Sequence, residues 1–261
     1  GTAMTFFPWP DAFQGKPGAG MVQTTAFSVP HGSLNVWMGR FADAAYDFEA
    51  PIERFGQAVL PVQDPDRLQI ELVADVSSGG TGESYETSRP DDSLPPEHAI
   101  RGLHGVTLGV TDPAPVARFL TDVFGCKGVG QERGRERLRV GKDRAAAIDL
   151  VQTQRPGRIS KGVVHHVAFH ATDEDELLQW REQLTTLGIE VTDVRERYYF
   201  KSIYFRDETH TGGVLFEIAT EGPGFTVDEP PEALGTHLKL PPWLEPRRDD
   251  IERRLPPLTI A

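Results

Sequence analysis

Short stretches of alternating apolar and polar residues are followed along this chain by stretches with helical apolar spacing. Residues 161–171, KGVVHHVAFHA, alternate and are rich in valine and phenylalanine, which predicts a β-strand. An amphipathic helix is predicted next, between an N-cap signal at Thr172–Asp173 and a stop at Gly188. Its apolar residues recur at helical spacing: Leu177, Trp180, Leu184 and Leu187. Three strand-like runs follow, VTDVRERYYF, KSIYFRD and GGVLFEIAT, so the predicted order is β-α-β-β-β.

The same order of elements recurs upstream, which indicates an internal repeat. Each copy ends in a strand with one carboxylate at the same place, in LQIELV, AAIDLV and VLFEIA; the carboxylates are Glu71, Asp149 and Glu217. We therefore predict βαβββ modules over residues 19–77, 99–153 and 160–221. The predicted fold class is α+β, with repeated modules whose curved sheets form half-open barrels. Glu71 and Asp149 belong to copies without a matching histidine, so we interpret them as structural carboxylates bound to backbone groups or arginine.

The segments outside these modules have a different composition. Residues 78–98 are rich in glycine, serine, proline and acidic residues, which predicts a linker or surface loop. Prolines recur through residues 222–261 and exclude long regular elements, so this C-terminal tail is expected to contain one short helix at most, in RRDDIERRL. At the other end, the run TAMTFFPW within residues 1–10 is interpreted as a strand.

Bulk composition narrows the class of protein. The 261 residues suffice for one large or two ordinary domains, and 38% hydrophobic residues suffice for a core. A net charge of −12 argues against a nucleic-acid surface, and the single cysteine excludes an internal disulfide framework. No apolar run approaches the roughly 20 residues that span a bilayer, and no secretory signal is visible. A cytoplasmic protein is therefore expected.

Two potential metal ligands occur in the last module, a histidine in its first strand and Glu217 in its last. Alternate side chains of a curved sheet point into the barrel, so these two can meet there. Two histidines and one carboxylate on one face form the facial triad of non-haem Fe(II) oxygenases. Neighbours in a strand point oppositely, so only one of His165 and His166 is expected to face a metal. The alternative partner for a buried Glu217 carboxylate is Arg197 or Arg206.

The motifs HHVAF, R-x-Y-F-K-S-I-Y-F-R-D, G-G-V-L-F-E-I-A-T and G-P-G-F-T-V-D-E together carry a family resemblance. They resemble ring-cleaving dioxygenases of the vicinal-oxygen-chelate (glyoxalase and extradiol dioxygenase) superfamily, in particular the hydroquinone-type enzymes. The HHVAF and LFEIAT pair marks the superfamily, and the run through Arg197 and Tyr204 is more specific to the branch. The likeness extends over most of the chain, from TFFPWP to the LPP segments near its end.

The resemblance implies roles for individual residues. The family pattern places the metal ligand at the second histidine, His166, and leaves His165 beside the site. It places Arg197 and Tyr204 near the substrate oxygens and bound dioxygen. Those residue types suit the task, because arginine stabilises anionic oxygen and tyrosine donates a hydrogen bond. Without the motif, both would be interpreted as a surface ion pair or as core packing.

The resemblance also implies a third ligand elsewhere. In the family one metal histidine comes from a first module, so four modules are implied, with residues 1–10 as the last strand of the first. The third ligand is then expected upstream of Gly1. His210 lies on a predicted turn and is interpreted as a loop histidine, while His104 is out of register with His166. If the third ligand lies within this sequence, His104 is the first candidate.

The expected reaction is Fe(II)- and O₂-dependent cleavage of a dihydroxylated aromatic ring, a hydroquinone or a catechol. Mn(II) could replace iron, because oxygen and nitrogen ligands discriminate weakly between the two. The expected partners are a small aromatic substrate and O₂. The sequence leaves open whether the chain forms a homo-oligomer. One alternative is an isomerase or lyase of glyoxalase type. The other is a non-enzymatic binding or resistance protein that sequesters a small aromatic compound.

Overall fold

The computed structural model describes residues 3–7, 9, 11–75, 94–141 and 146–255. The first group of elements comprises β1 (Met21–Pro30), α1 (Leu34–Asp43), β2 (Asp47–Phe48), β3 (Ile52–Arg54), β4 (Gln57–Gln63) and β5 (Gln69–Asp75). After a 3₁₀ turn at Pro96–His98, the second comprises β6 (Gly102–Val110), α2 (Pro113–Asp122), β7 (Lys127–Glu132), β8 (Arg135–Val140) and β9 (Ala146–Gln152). The third comprises β10 (Val167–Ala171), α3 (Glu174–Thr186), β11 (Arg195–Glu196), β12 (Lys201–Phe205) and β13 (Phe216–Thr220).

Each group follows the β-α-β-β-β order, the first with one additional short strand. The predicted α+β fold of repeated modules is therefore confirmed. The described part of the tail, residues 222–255, contains three 3₁₀ turns and one short helix, α4 (Arg248–Glu252), and this helix lies within the predicted RRDDIERRL segment.

The chain forms two compact units. The first comprises residues 1–167 and 206–216, and the second comprises residues 168–205 and 217–261. A nine-stranded open sheet, in the order β2-β4-β5-β1-β6-β9-β8-β7 with β3 beside β4, lies in the first unit. Its two modules join through the antiparallel pair β1–β6. A four-stranded sheet in the order β10-β13-β12-β11 belongs to the second unit.

Helix packing follows the predicted apolar faces. In the first unit, Trp37, Met38 and Phe41 of α1 pack against a buried cluster that includes Leu60 and Leu72. In the second unit, Leu177 and Leu184 of α3 are fully buried, and burying each such side chain stabilises the fold by about 1.5–3 kcal/mol.

The predicted N-terminal cap of α3 is also present. Asp173, the N-cap, accepts from Glu176 N at 2.9 Å, and the Glu176 carboxylate accepts in return from Thr172 N, one residue before the cap, at 2.7 Å.

Several predicted strands are wrong in extent; the run VTDVRERYYF, for example, contributes only β11, Arg195–Glu196. The described residues 3–7 and 9 form no strand, because no neighbouring segment pairs with their backbone, and Phe6 and Phe7 remain 70% and 56% exposed. The predicted strand over residues 161–171 begins only at Val167. Gly162 interrupts it: its φ is +75°, and a β-carbon there would collide with the Asp66 carbonyl oxygen.

The predicted linker falls largely on residues 76–93, which lie outside the described part of the chain. Among the helices that the structure does describe, none has both the length and the apolar character needed to cross a membrane.

Candidate functional site

A hydrogen-bonded pair on the four-stranded sheet contains two of the predicted site residues. Tyr204 lies on β12 and Glu217 on β13, adjacent strands of the second unit. The Tyr204 hydroxyl donates to Glu217 Oε1 at 2.6 Å. Glu217 is 4% exposed and lies between Phe216 and Ile218, both fully buried. The sequence thus places one carboxylate in an apolar strand, and the phenol supplies a hydrogen bond that offsets part of its desolvation cost.

Burial and the bond to Glu217 also affect the phenol. Together they raise the pKa of Tyr204 above its ordinary value, since both disfavour a phenolate. The Tyr204 hydroxyl therefore keeps its proton at neutral pH and acts as a donor.

Arg197 extends this pair into a chain of three groups. Its Nη2 donates to the Tyr204 hydroxyl oxygen at 3.3 Å, and its guanidinium carbon lies 5.5 Å from the centre of the Tyr204 ring. Arg197 itself is exposed, at the turn between β11 and β12, where Arg197 N bonds to the Phe200 carbonyl at 2.9 Å. The structure therefore brings together Arg197, Tyr204 and Glu217, which the sequence separates by seven and thirteen positions. Positive charge, a phenolic donor and a carboxylate lie in one row.

The histidine pair lies at the end of the first unit, directly before β10. The two rings are nearly perpendicular, at 89°, and Nδ1 of His165 lies 2.9 Å from Nδ1 of His166. The expectation that the two side chains point oppositely is wrong, because they precede the strand and do not follow its alternation. Of the two Nδ1 atoms, one must donate the hydrogen bond and the other must accept it. His165 is exposed and contacts Phe7 edge-on, with ring centres 6.4 Å apart.

The carboxylates that match Glu217 in the other modules have different partners. Glu71 accepts from Arg54 Nη1 at 2.7 Å. Asp149 is held by two guanidinium donors of Arg137, at 2.7 and 2.9 Å, and by Arg135 at 3.2 Å. The prediction that both carboxylates are structural and paired with arginine is confirmed. These three arginines were not identified from the sequence, although the alternation in RERLRV places Arg135 and Arg137 on one face of β8.

Two other histidines have structural surroundings in the first unit. His210 bonds through Nδ1 to Asp207 Oδ1 at 2.7 Å and its ring lies 5.5 Å from that of Phe119, as expected of a loop histidine. His104 Nδ1 lies 3.2 Å from the Ser28 hydroxyl. Over the described ranges of the chain, no group of three or more histidine, cysteine, aspartate or glutamate side chains is arranged to hold a metal.

The fold and these motifs define a class of protein with repeated βαβββ modules and a carboxylate in the last strand of each. Residues 102–218 match the family model of the Glyoxalase/Bleomycin resistance protein/Dioxygenase superfamily. The chain belongs to this superfamily, as the sequence motifs predicted.

Relatives match over the whole chain. The Bacillus subtilis (strain 168) protein named "Putative ring-cleaving dioxygenase MhqO" is 38% identical over 264 residues, which cover 100% of this chain and 80% of the relative. The chlorohydroquinone/hydroquinone 1,2-dioxygenase of Sphingobium indicum is 33% identical, covering 98% of this chain and 79% of the relative. A crystal structure titled as a "putative dioxygenase" from B. subtilis is 37% identical and superposes with a TM-score of 0.90, covering 100% of this chain and 81% of the other. These names agree with the predicted class, a ring-cleaving dioxygenase.

Proposed function

We propose that this protein is a metal-dependent dioxygenase that opens the ring of a hydroquinone with O₂. The row Arg197–Tyr204–Glu217 is the observation that carries the proposal, because it joins a candidate metal ligand to two groups that recognise anionic oxygen. The ring-cleaving names of the relatives, one of which specifies hydroquinones, support the choice of substrate. A catechol is also a dihydroxylated ring, so the test must compare its turnover with that of a hydroquinone.

Fe(II) is the metal we propose, with Mn(II) as a substitute, and the residues present suit such an ion. Glu217 supplies a buried carboxylate, and His166 supplies an imidazole whose Nδ1 is already engaged by His165. That these two share one metal rests on the sequence motif. When bound, such an ion activates O₂ and acidifies a coordinated hydroxyl group. The third ligand is proposed to come from outside this pair.

The residues of the chain would divide the remaining work. Arg197 would stabilise the negative charge on a substrate oxygen placed beside the Tyr204 hydroxyl. Tyr204 would hold its proton and orient that oxygen through a hydrogen bond. His165, whose ring contacts that of His166, would exchange a proton with the substrate.

Oxygen uptake tests the proposal. The protein is loaded with Fe(II) under anaerobic conditions, and O₂ consumption is then followed with hydroquinone, chlorohydroquinone and catechol. We expect one O₂ consumed for each ring opened, with both oxygen atoms of ¹⁸O₂ in the product. Metal-dependent isomerisation of a hemithioacetal without O₂ would instead establish the glyoxalase-type alternative. Tight binding of the aromatic compound without turnover would establish a binding protein.

Replacing Arg197 with Ala, or Tyr204 with Phe, is expected to lower turnover by roughly 10²-fold, the scale of losing one positioned electrostatic donor. Iron content should change little, because neither side chain is a proposed ligand. Tyr46→Phe is the matched control, since Tyr46 is 45% exposed in the first unit and should leave turnover intact. Steady-state kinetics with iron analysis on the same samples would check this. Wild-type turnover in both site variants would mean that Arg197 and Tyr204 serve only packing.

A further inference from the structure

The C-terminal tail contacts the turn that carries Arg197, and both segments belong to the second unit. Residues 197–200 (the arginine turn) join β11 to β12, and Arg197 N bonds to the Phe200 carbonyl across the turn at 2.9 Å. Arg197 is exposed, and its bond to the Tyr204 hydroxyl is long, at 3.3 Å. That bond alone holds the guanidinium weakly, so the position of the guanidinium depends on the backbone of the turn.

The backbone of the arginine turn is strained. Tyr198 has a φ of +69°, in the left-handed region that bulky residues rarely adopt. A strained residue persists only where its surroundings hold it, and such residues cluster at functional sites. The Tyr198 ring meets that of Trp243, in the tail, edge-on with ring centres 5.8 Å apart. The tail therefore contributes to holding Tyr198, and Arg197 before it, in this conformation.

The tail makes its strongest contacts with Tyr199, the next residue of the turn. The Tyr199 hydroxyl donates to Asp228 Oδ2 at 2.5 Å, and Gly224 N donates to the Tyr199 carbonyl at 2.7 Å. The rings of Tyr199 and Phe225 are in contact, with centres 4.7 Å apart. Burial and the bond to Asp228 raise the pKa of Tyr199 to about 12, so this hydroxyl keeps its proton at neutral pH and donates. Backbone and side-chain bonds thus join the turn to the tail.

We propose that Tyr199 and Asp228 are positioning residues for Arg197: their hydrogen bond fixes the arginine turn to the tail and thereby aims the guanidinium at the Tyr204 hydroxyl. The part that Arg197 plays in turnover rests on the proposed function, whereas the link between the tail and the turn does not. Because both residues act through Arg197, their removal lowers kcat only where the guanidinium is present.

Proteolysis of the metal-free protein tests the link without turnover. Trypsin cleaves after arginine, and a turn released from the tail is cut faster between Arg197 and Tyr198. We expect Tyr199→Phe and Asp228→Ala to speed this cut roughly tenfold, the lower end of the effect of losing a hydrogen bond to a charged group. Cleavage after Arg133, which is 77% exposed in a turn of the first unit, is the internal reference and should not change.

Two further variants separate the hydrogen bond from a general loss of structure. Asp228→Asn retains an oxygen acceptor for Tyr199, so it should recover most of the protection that Asp228→Ala loses. Asp250→Ala is the matched control in the same tail, because Asp250 is 38% exposed and forms ion pairs with neighbouring arginines that contribute little. This control should be cut after Arg197 at the wild-type rate.

A double-mutant cycle on the Fe(II)-loaded protein tests the effect on the site. Tyr199→Phe should lower kcat roughly tenfold with KM changed by less than about twofold, because a misplaced group stabilises the transition state less. Beside Arg197→Ala, the same change should cause no further loss of kcat.

Unchanged cleavage after Arg197 in both Tyr199→Phe and Asp228→Ala would overturn the proposal. An equal loss of kcat with and without the Arg197 side chain would overturn it as well. Faster cleavage in these variants of a protein whose wild type consumes no O₂ would refute the proposed function and retain the link between the tail and the turn.

Discussion

Glu217→Gln is expected to remove metal binding and reduce turnover to the background rate. The substitution keeps the shape of the side chain and removes the charge that a divalent ion requires. Loss of a group that merely orients a ligand costs 10–100-fold in metal affinity, so loss of the carboxylate ligand should cost roughly 10³-fold or more. Glu221→Gln is the matched control, because its carboxylate is 64% exposed four residues further along and pairs with His170.

Thermal unfolding with and without Fe(II) or Mn(II) gives the measurement. A metal at a concentration of 100 times its Kd stabilises the wild type by about 2.7 kcal/mol, and this increment should disappear in Glu217→Gln. Replacing His166 with Asn should have the same effect, whereas replacing His165 should retain most of the bound metal. If Glu217→Gln binds iron stoichiometrically and turns over normally, Glu217 is not a ligand, and its strand position is only structural.

Asp149→Ala is expected to destabilise the first unit by about 3–5 kcal/mol, the cost of breaking a buried ion pair by removing one partner. Arg137 is only 5% exposed and makes two hydrogen bonds to Asp149, at 2.7 and 2.9 Å. Without the carboxylate, a desolvated guanidinium remains, with the side-chain oxygen of Gln57 as a neutral acceptor at 2.9 Å. Arg135 loses its bond to Asp149 at the same time.

The thiol of Cys126, the one cysteine, reports this loss directly. Cys126 is 2% exposed in the first unit, and burial raises the pKa of its thiol to about 11, so the native protein should react slowly with thiol reagents. A loss of 3–5 kcal/mol corresponds to labelling that is faster by roughly 10²–10⁴-fold when opening is in rapid equilibrium. Asp66→Ala, which breaks an exposed pair with Lys161 in the same unit, should leave the rate almost unchanged. Equal labelling rates in both variants would refute the claim that the buried pair stabilises the fold.

Short-range patterns predicted most of the helices and strands, because their causes lie within a few residues. Trp37, Met38 and Phe41 recur at helical spacing and do pack on the core, and Asp173 with Glu176 caps α3 as its sequence indicates. It was harder to predict from the sequence where each strand begins and ends. The TFFPW run has strand composition, yet a strand also requires a neighbouring backbone with which to pair, and its described residues have none.

In the candidate site, too, the sequence predicted some features and missed others. The motif identified Arg197, Tyr204 and Glu217, and the structure joins them through the Tyr204 hydroxyl. The relation between His165 and His166 was predicted wrongly, since strand alternation was applied to residues that precede the strand.

The sequence by itself determined the order of elements, the repeat and the three matching carboxylates. Only the tertiary structure decided that Glu71 and Asp149 pair with arginines, whereas Glu217 accepts from a tyrosine. The physical reason is that the partner of a buried carboxylate comes from another strand of the same sheet, 12 to 17 residues away here: an adjacent strand for Asp149 and Glu217, and the next strand but one for Glu71. Equivalent positions in a repeat therefore acquire different chemistry through the side chains that the sheet brings to them.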